Sequence, residues 1–250
     1  MGCGLGALTL SIVGLVLHYT SGFLHRRAEL NLGLVAAGQR LNAAYNERPM
    51  QFTNVAFTTT AKLKVLVLGN SMARDFINAG LERGVFANCE LSYSTQVPVG
   101  LRSADDVPVG LRRRVAACDW LIFGSPSVRV STWASDARIL KEMGAKRIVV
   151  IGPKNFGWNM NAVGLLPPDA RLGFRVPVLP EVLALNKHLR QAIPDTEFVD
   201  VIALLDDSAG RVSVFTPEGM LISQDRVHLT KAGAEYLGSL LFAHPLLAPL

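Results

Sequence analysis

Residues Leu63 to Leu68 form a short apolar run broken only by Lys64, and Gly69-Asn70-Ser71 follows it directly. Such a run reads as a strand covered on both faces, the pattern of a parallel sheet. From Met72 onward the pattern is helical, so the chain turns sharply at Gly69-Asn70-Ser71. Parallel strands need long crossover connections, usually helical, which commits this part of the chain to an α/β architecture. A serine at such a turn stands at the carboxyl edge of the sheet, where open α/β folds bind ligands. The first turn of the following helix also offers free backbone N–H groups to an anion. The other reading of Ser71 is that it only caps the helix.

Far downstream, Asp225-Arg226-Val227-His228 precedes another helical stretch. Asp-x-x-His spacing lets the carboxylate reach the imidazole, hold the ring and stabilise its protonated form. The imidazole can then take a proton from a serine hydroxyl. Asp206 and Asp207 are the alternative acids.

With both blocks in view, the chain resembles the SGNH hydrolases, or GDSL-type esterases, over roughly residues 62–241. In that family a Gly-Asp-Ser block follows the first strand and a C-terminal Asp-x-x-His block completes a triad. The matching residues are Gly69-Asn70-Ser71 with Asp225 and His228. Asn70 stands where the family has Asp. The family's Gly-x-Asn-Asp block aligns with Gly124-Ser125-Pro126-Ser127, so Pro126 replaces an oxyanion-donating Asn and offers no backbone N–H either. Loss of this Asn is also a trait of the SGNH domains fused to bacterial membrane O-acyltransferases. The run Thr20 to Arg26 resembles the junction between the last membrane helix and the fused domain in those proteins.

The first 24 residues carry no formal charge, and Arg26-Arg27 ends the run. Their length suits one membrane span, with a hydrophobic helix capping the domain as the alternative. A cleaved signal peptide fits less well, because no basic segment or Ala-x-Ala site precedes the Arg pair. Residues 1–26 are thus expected to be a membrane-spanning helix, 27–61 a helical connector, and 62–250 the SGNH-like domain. Arg26-Arg27 favours a cytoplasmic domain by the positive-inside rule. The resemblance implies the opposite, a bacterial inner-membrane protein with an extracytoplasmic catalytic domain, and that orientation is adopted here.

Charge narrows the partners. The formal net charge is +5, with the longest basic cluster at Arg112-Arg113-Arg114, read as a solvated helix face. No basic and aromatic residues interleave, so nucleic acid is not an expected partner. No Cys/His cluster has metal-ligand spacing, and no metal or cofactor is implied.

Further elements follow in order. Strands are expected at 90–95, 119–123, 146–151 and 197–201, and helices at 131–143, 180–192 and 230–242. A small hairpin is expected at 211–222 across Pro217-Glu218-Gly219. The segment Val97-Pro98-Val99-Gly100-Leu101-Arg102 recurs as Val107 to Arg112, a local duplication. Gly100 falls near the family's oxyanion-hole glycine, with Gly110 in competition. The loop 154–177 leaves the carboxyl end of a strand and can wall a pocket. In a sheet ordered 2-1-3-4-5, Cys89 and Cys118 open strands on either side of strand 1, about 9–10 Å apart, too far for a disulfide. Both are expected to be buried thiols.

The expected fold is a three-layer, flavodoxin-like α/β SGNH domain behind a hydrophobic helix. The expected chemistry is acyl-ester cleavage or O-acyl transfer, with Ser71 as nucleophile, His228 as base and Asp225 orienting it. The oxyanion would be held by the Ser71 backbone N–H with Gly100, Arg129 or Asn155. The resemblance implies an O-acetylated cell-surface glycan as substrate and an acyltransferase membrane domain as neighbour. The alternative is a non-catalytic glycan-binding or accessory module.

Overall fold

The structure, a computed structural model, describes residues 13–14, 16, 43–58, 62–124, 127–157, 163–206, 209–223 and 225–250. The expected membrane span lies almost entirely outside the described residues. Among the described residues, no helix is long and apolar enough to cross a membrane.

The elements, in order, are α1 (Ala43–Glu47), β1 (Leu63–Leu68), α2 (Ser71–Glu82), β2 (Cys89–Ser94), α3 (Val109–Ala117), β3 (Trp120–Gly124), α4 (Trp133–Glu142) and β4 (Arg147–Ile151). They continue with α5 (Pro168–Arg171), β5 (Arg175–Pro177), α6 (Pro180–Ala192), β6 (Phe198–Val199), α7 (Val201–Leu205), β7 (Arg211–Ser213) and α8 (Lys231–Leu241). Five strands form one sheet in the order β2-β1-β3-β4-β6, and every pairing in it is parallel. With β6 as its fifth strand, this is the expected 2-1-3-4-5 order.

The pleat sends alternate residues of each strand to opposite faces. Val65 and Val67 join Ile122, Val149 and Ile151 in one core, closed by Phe76 and Ile77 of α2 and by Leu237 and Leu241 of α8. Leu66 and Leu68 join Phe123, Ile148 and Val150 in the other, closed by Leu111 of α3, Leu140 of α4 and Leu189 of α6. The sheet is therefore covered on both faces and the fold has three layers. That is why β1 carries no hydrophobic alternation.

Helices α2 and α8 lie side by side and start at the same edge of the sheet. Leu229, just before α8, donates its N–H to Asp75 in the second turn of α2. Further along, a Cβ on Gly238 would lie 2.8 Å from the Ala79 carbonyl oxygen, so only a glycine allows this approach.

Residues 43–58, expected within the connector, pack on α2 and β2. Arg48 pairs with Glu82 at 2.8 Å, Asn78 Nδ2 donates to the Tyr45 carbonyl, and Asn54 N–H donates to the Tyr93 carbonyl. The loop 154–177 contains a short helix and the strand β5, which pairs antiparallel with β7. A bridge between Phe215 and Leu221 closes the turn over Pro217-Glu218-Gly219.

Two expectations need correction. Arg114 is not on a solvated face. Its guanidinium is buried and donates to Ser92 Oγ at 3.1 Å and Asn54 Oδ1 at 2.8 Å, because α3 turns this residue toward the end of β2. Cys118 is a buried free thiol as expected, but Cys89, on the edge strand, is only half-buried.

Candidate active site

Gly69 has φ +141°, a conformation that L side chains rarely adopt. A Cβ there would also lie 3.0 Å from the Gly124 carbonyl and 3.1 Å from Ser127 Oγ. The turn after β1 is thus pressed against the chain leaving β3. Tyr93, at the end of β2, fixes it from the other side by donating to the Gly69 carbonyl at 2.9 Å.

Asn70, not Ser71, is the helix cap: its Oδ1 accepts the Met72 N–H at 3.0 Å. Asn caps as well as Asp, so this departure from the resembled motif leaves the turn intact. Ser71 is the first helical residue, and its hydroxyl is not consumed by capping. Its backbone N–H is one of those that an α-helix leaves without an intrahelical partner.

Asp225 and His228 form a closed unit. Asp225 Oδ2 lies 2.6 Å from His228 Nδ1, and Oδ1 accepts the N–H groups of His228 at 2.8 Å and Val227 at 2.6 Å. Ser223 Oγ donates to the His228 carbonyl at 2.7 Å. Burial acts to raise the Asp225 carboxyl, but the ring and the two N–H groups outweigh it and hold the carboxyl well below its usual range. The same hydrogen bond lifts the His228 imidazole above its usual value, against the effect of burial. With Nδ1 engaged by Asp225, Nε2 is the nitrogen left for a hydroxyl.

Asp75 ties the chain just after this unit to the second turn of α2. Its Oδ1 takes the Leu229 N–H at 3.4 Å and its Oδ2 lies 2.7 Å from Lys154 Nζ. Residues four apart on a helix stand about 5–6 Å from one another at Cβ. Leu229 therefore docks one turn beyond Ser71, and His228 is the residue before it. Phe156 N–H donates to the Arg226 carbonyl at 2.9 Å, so the chain after β4 also grips the His228 loop. Among the described residues, no hydrogen bond joins Ser71 Oγ to His228. Catalytic hydrogen bonds commonly tighten only when substrate is present.

The expected oxyanion donors fare unequally. Gly100 N–H donates to Asp136 Oδ2 at 2.9 Å, and Leu101 N–H to Oδ1 at 2.7 Å, so the Gly100 donor is already committed. Gly110 lies on the exposed side of α3. Asn155 is buried, and its Oδ1 accepts the N–H groups of Gly157 and Leu179 while Nδ2 donates to the Gly157 carbonyl. Its amide ties the loop to α6. Arg129 is exposed, and its Nη1 would lie 3.0 Å from a Cβ on Gly100. Gly100 follows β2, Arg129 follows β3, and β1 runs between those strands. The contact therefore links loops from the two strands that flank β1. Trp158, Asn159 and Asn161, in the expected pocket wall, lie outside the described residues, as do Ser125 and Pro126.

Sequence reasoning missed Asp75, Lys154 and Asp136. The available signal was weak: Asp75 is followed by Phe76-Ile77 but preceded by Arg74, and Asp136 lies in a mixed helix between Ser135 and Ala137-Arg138. Neither position named its partner.

No family model matches the sequence, and no curated protein does. Among solved structures, the chain is similar to the periplasmic domain of a lipopolysaccharide acetyltransferase from Salmonella ser. Paratyphi A. The two share 14% identity with a TM-score of 0.57, over 81% of this chain and 95% of that domain. At this identity, what the two chains share is the fold.

Proposed function

We propose that the chain is a serine-dependent acyl-transfer enzyme of the SGNH kind. Ser71 Oγ attacks the ester carbonyl while His228 Nε2 takes its proton, and Asp225 holds the resulting imidazolium. The tetrahedral intermediate collapses, the bond to the leaving alcohol breaks, and His228 returns the proton to that oxygen. An acceptor hydroxyl, from a sugar or from water, then gives its proton to His228 and attacks the acyl-serine; the ester bond to Ser71 Oγ breaks, and His228 returns that proton to the serine oxygen. The Ser71 backbone N–H and the Arg129 guanidinium stabilise the oxyanion. A charged donor suits the gap at Pro126, since charge-assisted hydrogen bonds are the stronger ones.

The observation that carries this reading is the Asp225-clamped imidazole next in the chain to Leu229, whose N–H meets Asp75 on the second turn of the helix that Ser71 opens. The fold shared with a lipopolysaccharide acetyltransferase domain supports an acetylated glycan as substrate and an extracytoplasmic site. The apolar N-terminal segment supports attachment to the inner membrane beside an acyltransferase domain. The commitment of Gly100 N–H to Asp136 favours the second reading, a glycan-binding module without turnover.

Hydrolysis of p-nitrophenyl acetate by the full chain, beside Ser71→Ala and His228→Ala, decides between the two. The enzyme reading requires both variants to lose turnover while remaining folded. Equal rates for all three proteins would leave the binding module.

A further inference from the structure

The ion pair between Lys154 and Asp75 is among the most buried polar groups of the domain. The side chains are 5% and 2% exposed and the charged atoms are 2.7 Å apart. Lys154 Nζ also lies 3.1 Å from Met72 Sδ, next to Ser71 in the chain. With Met72, Phe76 and Gly124, the pair lines a small cavity beneath α2. Burial pushes the Asp75 carboxyl up, and Lys154 opposes this. An ion pair in such a place is seldom kept for stability, because a neutral pair of similar shape is often as stable.

Its contacts point elsewhere. Asp75 belongs to the nucleophile's helix, Lys154 to the chain leaving β4, and Leu229 to the histidine loop. One carboxylate thus joins the three segments that converge on the site. Lys154 occupies Oδ2 and leaves Oδ1 facing the Leu229 N–H.

We infer that Asp75 and Lys154 are positioning residues, which set the distance between His228 and Ser71 by holding the Leu229 N–H on the second turn of α2. The inference rests on the acyl-transfer reading above. The acceptor oxygen of Asp75 is the essential part, and the charge of the pair is dispensable once both charges are removed together.

Two double variants separate acceptor from charge. Asp75→Asn with Lys154→Met removes both charges and keeps an oxygen facing Leu229. Asp75→Leu with Lys154→Met removes both charges and the oxygen. The first should retain kcat within about threefold, and the second should lose at least tenfold in kcat with KM within twofold. Melting temperatures, read alongside, should not fall in the first variant. Wild-type kcat in a folded Asp75→Leu/Lys154→Met protein overturns the inference, and so does an equal loss in both doubles. If the leucine double does not fold, hydrogen exchange of the Leu229 amide in the wild-type protein carries the test. Protection comparable to the core of α2 is expected, and rapid exchange overturns the inference. Ser71→Ala is run throughout: if it turns over like wild type, the acyl-transfer reading fails, and that failure is distinct from any difference between the doubles.

Discussion

Asp225 grips His228 at two points, the ring through Oδ2 at 2.6 Å from Nδ1 and the backbone through Oδ1 at 2.8 Å from N–H. The grip sets ring orientation and tautomer together. Asp225→Asn keeps the size of the side chain and can keep the backbone bonds, but it can present an N–H to Nδ1 and so favour the wrong tautomer. The variant should fold and lose roughly 10⁴-fold in kcat, as in the triad template. Steady-state ester hydrolysis with circular dichroism checks both halves. Activity near wild type would point to another acid, Asp206 or Asp207.

The same contact fixes a pH dependence. On the acyl-transfer reading His228 must be neutral to accept the serine proton, and Asp225 raises its pKa above the ordinary value of about 6.5. kcat/KM should therefore rise with pH through a midpoint above about 6.5, and the midpoint should move down in Asp225→Asn. Asp75 adds to the rise and Lys154 opposes it.

Stability should follow with the opposite sign. A raised histidine pKa stabilises the fold below the unfolded value and is lost as pH rises through the folded one. The lowered Asp225 carboxyl stabilises above its unfolded value and is lost as pH falls through the folded one. The pair's contribution is therefore complete between about pH 4 and 6.5. The difference in melting temperature between wild type and His228→Gln should be widest in that window and narrow on both sides.

Arg129→Ala should reduce kcat about a hundredfold, the usual loss on removing one oxyanion donor, with little change in stability because the residue is exposed. Ser127→Ala serves as the neighbouring control. Should neither lower kcat, the oxyanion is held by backbone groups alone.

Arg114→Ala should cost about 1–3 kcal/mol, since it strips partners from buried Ser92 and from Asn54. Arg113→Ala, one residue away on the exposed side, should cost less than about 0.5 kcal/mol. Urea melts of the two variants provide the comparison.

The sheet was readable because its strands are apolar runs of the right length ending at glycines, as at Leu68-Gly69 and Phe123-Gly124. Both blocks of the candidate site, Gly69-Asn70-Ser71 and Asp225 to His228, could be read because each sits in one short segment. The edge pairing of Arg175–Pro177 with Arg211–Ser213 was hidden, since three-residue strands have no period to detect. Arg114 was misread for a related reason: a basic triplet does not tell which of its members the helix turns inward. Gly100 was expected beside the family's oxyanion-hole glycine, but its N–H is taken by Asp136, 36 residues away. Lys154 and Asp75 are 79 positions apart, and only the folded chain introduces them.

The duplicated segment carries one more consequence. Val97 to Arg102 is an irregular loop, whereas the same six residues at Val107 to Arg112 run into a helix. Leu101 and Leu111 nevertheless enter the same core. For the unfolded chain these are two interchangeable keys for neighbouring locks. A shift of ten positions would offer Asp136 the same Gly-Leu pair of amides. What tells the copies apart is the text after each: Ser103 and Asp106 close a capping box behind the first, and Arg114 finds Ser92 only behind the second. The fidelity of folding beside β1 is thus delegated to residues outside the candidate site.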